Sequence, residues 1–227
     1  MTWDPLLLSL EVAILATVAS LVIGTALAAL IVWRRMPARD LLDAVISAPL
    51  VLPPTVLGYY LLVALGRHSA IGRAWEALTG SQLVFSFAGA VIAATVGSLP
   101  LVVRSARVGL ESVSPSLVDA ARTLGAGPRR VFFTVVLPLA MPGVVAGGML
   151  GFARALGDYG ITMMVAGGRI DGLGVHASPT ASIYVMNAVD ANRDGDAFGM
   201  AIVTTIVGIG MLYLANRLSK TLHRAGA

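Results

Sequence analysis

The chain has 227 residues, 57% hydrophobic and only 12% charged, with a mean hydropathy of +0.84, where a soluble domain carries roughly 25% charged residues. This excludes an ordinary soluble domain and describes one all-α integral membrane domain over 1–227. Cysteine is absent, which excludes disulfides and thiolate metal sites. His68, His176 and His223 are too scattered for a metal centre, and the net charge of +4 needs no nucleic acid partner if the basic residues gather on the cytoplasmic side.

Met1-Thr2-Trp3-Asp4 lacks a basic n-region and the apolar run after it is too long for a signal peptide, so the first helix is expected to be retained. A helix needs about 20 apolar residues to cross a bilayer. Stretches 6–33, 83–103, 135–156 and 198–214 meet this readily, and 41–65 is equally apolar. That last stretch carries Pro49, Pro53 and Pro54. Proline frees backbone groups, which is tolerated where protein or water meets them. The 41–65 span is therefore placed in the bundle interior or along a pathway. Segment 161–166 is too short to span, and Asp158, Asp171, Asp190, Asp194 and Asp196 put the region in water. Residues 180–189 read as a short helix on the outer surface or dipping into it.

Five spans place Arg34, Arg35, Arg39, Arg104, Arg107, Arg122, Arg129, Arg130, Arg217, Lys220 and Arg224 on one side. Arg67, Arg73, Arg154, Arg169 and Arg193 fall on the other. The richer side is cytoplasmic, so the N-terminus is outside and the C-terminus inside. A sixth span would put Lys220 and Arg224 outside, against that rule. No internal repeat is evident, so inverted-repeat transporter logic finds no support.

Segment 104–135, between spans three and four, reads as a cytoplasmic loop with structure of its own. Ser114-Pro115 has the form of an N-cap and first-turn proline. Leu117, Ala120, Ala121 and Leu124 follow at helical spacing, and Gly125 ends the helix as glycine does at C′. Pro128 starts a second helix that enters the membrane through Val131, Phe132 and Val135.

Asp119-Ala120-Ala121, Gly125 and Val135-Val136-Leu137-Pro138 resemble, in type and spacing, the EAA loop of ABC importer permeases, with Asp119 for the usual Glu and Val135 for the usual Ile. The resemblance implies that Asp119, Ala120, Ala121, Arg122, Gly125, Arg129, Arg130, Leu137 and Pro138 form a coupling element that docks in a groove on a separate ATPase subunit. Two alanines keep the helix surface low, Gly125 permits a sharp corner, and the charged residues can make rim ion pairs. No Gly-x-x-x-x-Gly-Lys-Ser/Thr loop occurs, and no lysine follows Leu124-Gly125-Ala126-Gly127, so ATP and magnesium are expected on the partner and no cofactor on this chain.

Three further runs are similar to molybdate permeases. They are Leu41-Leu42-Asp43 followed by Pro49 to Tyr59 with Pro53-Pro54-Thr55, Ala121 to Gly127 with Arg130 to Thr134, and Phe152-Ala153-Arg154-Ala155-Leu156-Gly157-Asp158-Tyr159-Gly160, where the family more often has Glu-Phe at Asp158-Tyr159. Together they cover about residues 40 to 160. The resemblance implies a bacterial inner-membrane permease importing molybdate or tungstate. A periplasmic or lipid-anchored binding protein would deliver the oxyanion, two copies of the chain would line the path, and two ATPase subunits would drive it. Sulfate or thiosulfate permeases share part of the pattern. A secondary transporter or channel would need ionisable residues in mid-span, which the predicted spans lack.

Pro53, Pro54, Thr55, Tyr59 and Ser98 are candidate pathway residues, although Ser and Thr in membrane helices commonly bond their own backbone. Arg154 reads as an i, i+4 partner of Asp158 near the outer end of span four in preference to a pathway cation. Glu11 is expected to snorkel to the headgroups. Gly143, Gly147, Gly151 and Ala155 recur every fourth residue and form a smooth stripe for close helix packing.

Overall fold

The computed structural model describes residues 3–33, 39–174 and 177–225. Arg34, Arg35 and His176 lie outside these residues, as do the side chains of Arg39, Lys220, His223 and Arg224. Among the described residues the regular structure is helical, apart from an antiparallel bridge between Ile170 and Ser178.

The helices run α1 (Asp4–Trp33), α2 (Arg39–Val51), α3 (Pro54–Leu65), α4 (Ala70–Thr79), α5 (Phe87–Glu111), α6 (Pro115–Thr123) and α7 (Pro128–Val131). After a π-turn (Phe132–Val136) come α8 (Leu137–Leu156), α9 (Gly160–Ala166), α10 (Ala181–Asp190) and α11 (Asp194–Ala225). Among the described residues, four helical stretches are long and apolar enough to cross a membrane, or five if α2 and α3 count as one broken span.

The centre of the bundle is α5, packed between α1 and α8. Close approach is possible because the small-residue stripe of α8 lies against it. A Cβ at Gly143 would fall 2.7 Å from the Gly109 Cα, and one at Gly147 would fall 3.1 Å from the Val102 Cα. Helices in lipid gain mainly from such packing. The α1–α5 seam is tied by a hydrogen bond between the hydroxyls of Ser20 and Ser98 at 2.8 Å, both fully buried. By contrast α11 exposes Ile202, Ile206, Ile209 and Tyr213, an apolar face suited to lipid or to another protein.

The structure changes four expectations. Stretch 41–65 is not a straight span: the chain bends by 114° between α2 and α3. Pro53 and Pro54 cause it, since neither has an N–H and each disfavours helix in the residue before it. Helix α5 continues to Glu111, so the loop after it is shorter than 104–135. Segment 161–166 is not held in water. It forms α9, with Ile161, Thr162, Val165 and Ala166 buried against α3 and α5. Glu11 does not reach for headgroups: its carboxylate accepts hydrogen bonds from the Leu173 and Gly174 N–H groups at 2.8 and 3.1 Å, and so ties the 167–180 segment to α1.

Residues 180–189 match α10, too short at ten residues to span. Its first N–H, on Ala181, donates to Ser9 Oγ at 2.7 Å and docks the helix on α1.

Candidate functional site

Two features at different depths in the bundle carry the candidate residues. The first is the corner formed by α6 and α7. Pro115 opens α6 at its first position, but the Ser114 hydroxyl shares a hydrogen bond with Ser116 instead of capping the helix. Gly125, with φ of +81°, ends it in the left-handed region that glycine enters without a Cβ penalty. The Gly125 and Ala126 N–H groups donate to the Arg122 and Ala121 carbonyls at 2.9 and 3.1 Å, closing the corner.

No residue of α6 is buried. Its outer face shows Ala120 with Leu117 and Leu124, the leucine at 124 being 88% exposed. Asp119 and Arg122 are exposed and 3.6 Å apart on the same surface. Ala121 is turned inward: with Val118 and Ala126 it packs on the cluster around Val131, Val136 and Ala140. The two alanines therefore do not share one open face. A cleft of about 350 Å³, lined by Val118, Asp119, Arg122, Leu110, Phe132 and Val136 among others, lies between α6 and the spans.

Arg129 and Arg130 are exposed in α7. The π-turn follows, and Pro138 explains its position. A proline there removes the bond to the Thr134 carbonyl and its ring crowds that turn, so the helix widens just before it. Leu137 closes the wide turn by donating to the Phe132 carbonyl. The corner is thus joined to α8 by a helix whose first turn is already irregular.

The second feature is a cleft of about 570 Å³ where two helix breaks face one another. The α2–α3 break supplies Pro49, Leu52, Pro54 and Thr55, and the α8–α9 break supplies Arg154, Asp158 and Tyr159. Arg154 Nη1 donates to Asp158 Oδ1 at 2.7 Å. The other oxygen, Oδ2, accepts from the Thr162 N–H and hydroxyl, both at 2.8 Å.

The i, i+4 pair is as expected, but its depth is not. Asp158 is 4% exposed, and Arg154 Nη2 lies 3.9 Å from where a Cβ at Gly97 would stand, close to the middle of α5. The bundle does hold an ionisable pair at mid-depth. Hydropathy ends the span at Leu156, and the packing of α9 against α5 shows how far Arg154 lies inside the bundle.

The other pathway candidates are placed apart. Pro54 and Thr55 line the cleft. Pro53 occupies the N-cap of α3, and Tyr59 is exposed on α3 with its ring 6.3 Å from that of Tyr60. Ser98 faces α1, bonded to Ser20 and the Thr95 carbonyl. Ser86 and Thr95 likewise bond backbone carbonyls, of Leu83 and Val91. No group of three or more metal-ligating side chains occurs among the described residues.

Known proteins share both the sequence and the fold. The molybdenum transport system permease protein ModB of Escherichia coli K12 is 50% identical over 161 residues, covering 71% of this chain and 70% of that one. ModB of Azotobacter vinelandii is 40% identical over 194 residues, 86% and 84% of the two chains. The sulfate transport system permease protein CysW of Synechocystis is 30% identical over 213 residues, 94% and 75%. Among solved structures, the inward-facing MetNI methionine ABC transporter superposes with a TM-score of 0.72 at 16% identity, covering 97% and 96% of the chains, which establishes a common fold. The family model for the inner membrane component of binding-protein-dependent transport systems matches residues 20–225, and the chain belongs to that family of multi-pass inner-membrane proteins.

Proposed function

We propose that this chain is the permease subunit of an ATP-driven importer of molybdate, with tungstate as a related cargo. The 50% identity to the Escherichia coli molybdenum permease carries the reading. It is supported by the run from Pro49 to Tyr59, which the structure folds into the α2–α3 break beside the cleft. An external binding protein delivers the oxyanion, two copies of the chain enclose the path, and two ATPase subunits bind the α6 corners. The permease performs no covalent chemistry. ATP-driven motion of the partners tilts α6 and, through the π-turn, α8.

Reconstituted with its ATPase and binding protein, the complex is expected to take up molybdate at least tenfold faster than sulfate when each is presented on the binding protein. Sulfate uptake without molybdate uptake would assign the chain to the sulfate branch, toward which the 30% identity to the Synechocystis permease points.

The proposed orientation sets the α6 corner and the C-terminus in the cytoplasm and α10 outside, with α2 and α3 together as the second of five spans. The chain has no cysteine, so single cysteines report without background. Cysteines replacing Ser114 or Ser219 should react with an impermeant thiol reagent only from the cytoplasmic face, and one replacing Asp194 only from the outer face. Outer labelling at Ser219 would rule out this arrangement.

A further inference from the structure

The pair formed by buried Asp158 and half-buried Arg154 is more than bundle packing requires. Two charges taken out of water cost more than an apolar pair of similar volume, so a mid-depth ion pair adds little stability by itself. Asp158 is fully engaged: one oxygen takes the Arg154 proton donor and the other takes two donors from Thr162. Arg154 is not. The contact uses Nη1, and Arg154, whose side chain is 29% exposed, borders the cleft. The cleft is also lined by Thr55 in the first turn of α3, a twelve-residue helix that begins at Pro54, with Pro53 at the N-cap and no side-chain cap. Pro54 has no N–H and the Val56 N–H donates to the Pro53 carbonyl at 3.0 Å, which leaves the Thr55 N–H and the positive end of the helix dipole to favour an anion there.

The cleft is therefore lined by a fixed cation, by its paired carboxylate, which Thr162 holds in place, and by a helix terminus. We propose that it is a transient mid-membrane subsite for a tetrahedral oxyanion, in which Arg154 donates to the cargo while remaining paired with Asp158. The inference rests on the importer reading above and names where on the path the cargo pauses. Asp158 tempers the affinity. An isolated arginine in this low-dielectric setting would hold a dianion tightly and slow its release, whereas the pair presents donors with no net charge.

Two measurements test this. The first compares Arg154→Gln, and the double variant Arg154→Gln with Asp158→Asn, against wild type in proteoliposomes containing the ATPase and the molybdate-loaded binding protein. Both variants are expected to lose at least tenfold in molybdate uptake while the loaded binding protein still stimulates ATP hydrolysis. The double variant replaces the ion pair by a neutral hydrogen-bonded pair, so restoration of uptake by it would assign the pair to structure alone and overturn the proposal. The second does not depend on the cargo. A cysteine replacing Thr55 should react several-fold faster with an anionic methanethiosulfonate than with a cationic one of similar size, after correction for their rates with free thiol. Arg154→Gln should erase that preference. Equal rates, a preference for the cation, or a preference unchanged by Arg154→Gln would overturn the subsite. If wild type imports sulfate and not molybdate, the cargo assignment fails while the cysteine rates still decide the subsite.

Discussion

Replacing Gly143 by leucine is expected to remove the folded protein almost entirely. A Cβ at this position would lie 2.7 Å from the Gly109 Cα and 2.8 Å from the Ser105 carbonyl oxygen, and a Cβ at Gly109 would meet the Gly143 Cα at 3.0 Å. These neighbours are backbone, so no rotamer change relieves the overlap. Overpacking that side chains can absorb costs about 1–3 kcal/mol. Here α5 and α8 must separate along the whole stripe and forfeit the contacts that hold them together in lipid. Gly210→Leu on α11 is the control, because nothing lies within 4 Å of a Cβ there. In detergent, the Gly143 variant should lose its monodisperse elution peak and cooperative thermal transition, while the Gly210 variant keeps both. Normal yield and midpoint for Gly143→Leu would show that the α5–α8 seam does not hold the bundle.

That seam was visible in the sequence because its signal is local. Four glycine or alanine positions at i, i+4 spacing mark one side of a helix whatever the rest of the chain does, and the four long apolar runs announce α1, α5, α8 and α11 by length alone. Gly125 was legible for the same reason: a helix pattern that ends on glycine predicts the φ of +81° found there.

What was not legible depends on distant partners. Glu11 gives no hint of Leu173 and Gly174, which follow it by more than 160 residues. Hydropathy ends span four at Leu156, so Arg154 looked peripheral; its depth is set by α9 continuing along α5, and α9 is too short to register as a span. The prolines at 53 and 54 foretold a break but not its angle. Ser98 offered only a hydroxyl within an apolar run. Whether it faced a pathway or a neighbouring helix was decided by Ser20, 78 residues earlier.

The orientation of α6 was open for a similar reason, since small residues at 120 and 121 fit an inward or an outward face equally, and it determines the second large effect. Ala120→Trp is expected to leave the chain folded and abolish its partnership with the ATPase. Ala120 lies on the exposed surface beside Leu117 and Leu124, so a tryptophan there projects away from the bundle and into any groove that receives the helix. Ala121→Trp acts in the other direction. Ala121 packs on the cluster that includes Val131 and Val136, and the larger ring should lower thermal stability by the roughly 1–3 kcal/mol typical of overpacking, about 5- to 150-fold in the folding equilibrium, before any question of docking arises. Gly125→Val separates geometry from bulk. Nothing stands within 4 Å of a Cβ at Gly125, yet φ of +81° disfavours any side chain and a branched one most, so the corner should reorient although space is available. Co-purification of the ATPase with each variant, beside the thermal midpoint of the permease alone, distinguishes the three. Ala120→Trp should lose the partner at least tenfold with an unchanged midpoint. Ala121→Trp should lower the midpoint. Gly125→Val should weaken the partnership more than Gly125→Ala. Retention of the ATPase and of transport by Ala120→Trp would mean that the outer face of α6 is not the docking surface, and that the corner is only a linker between α5 and α8.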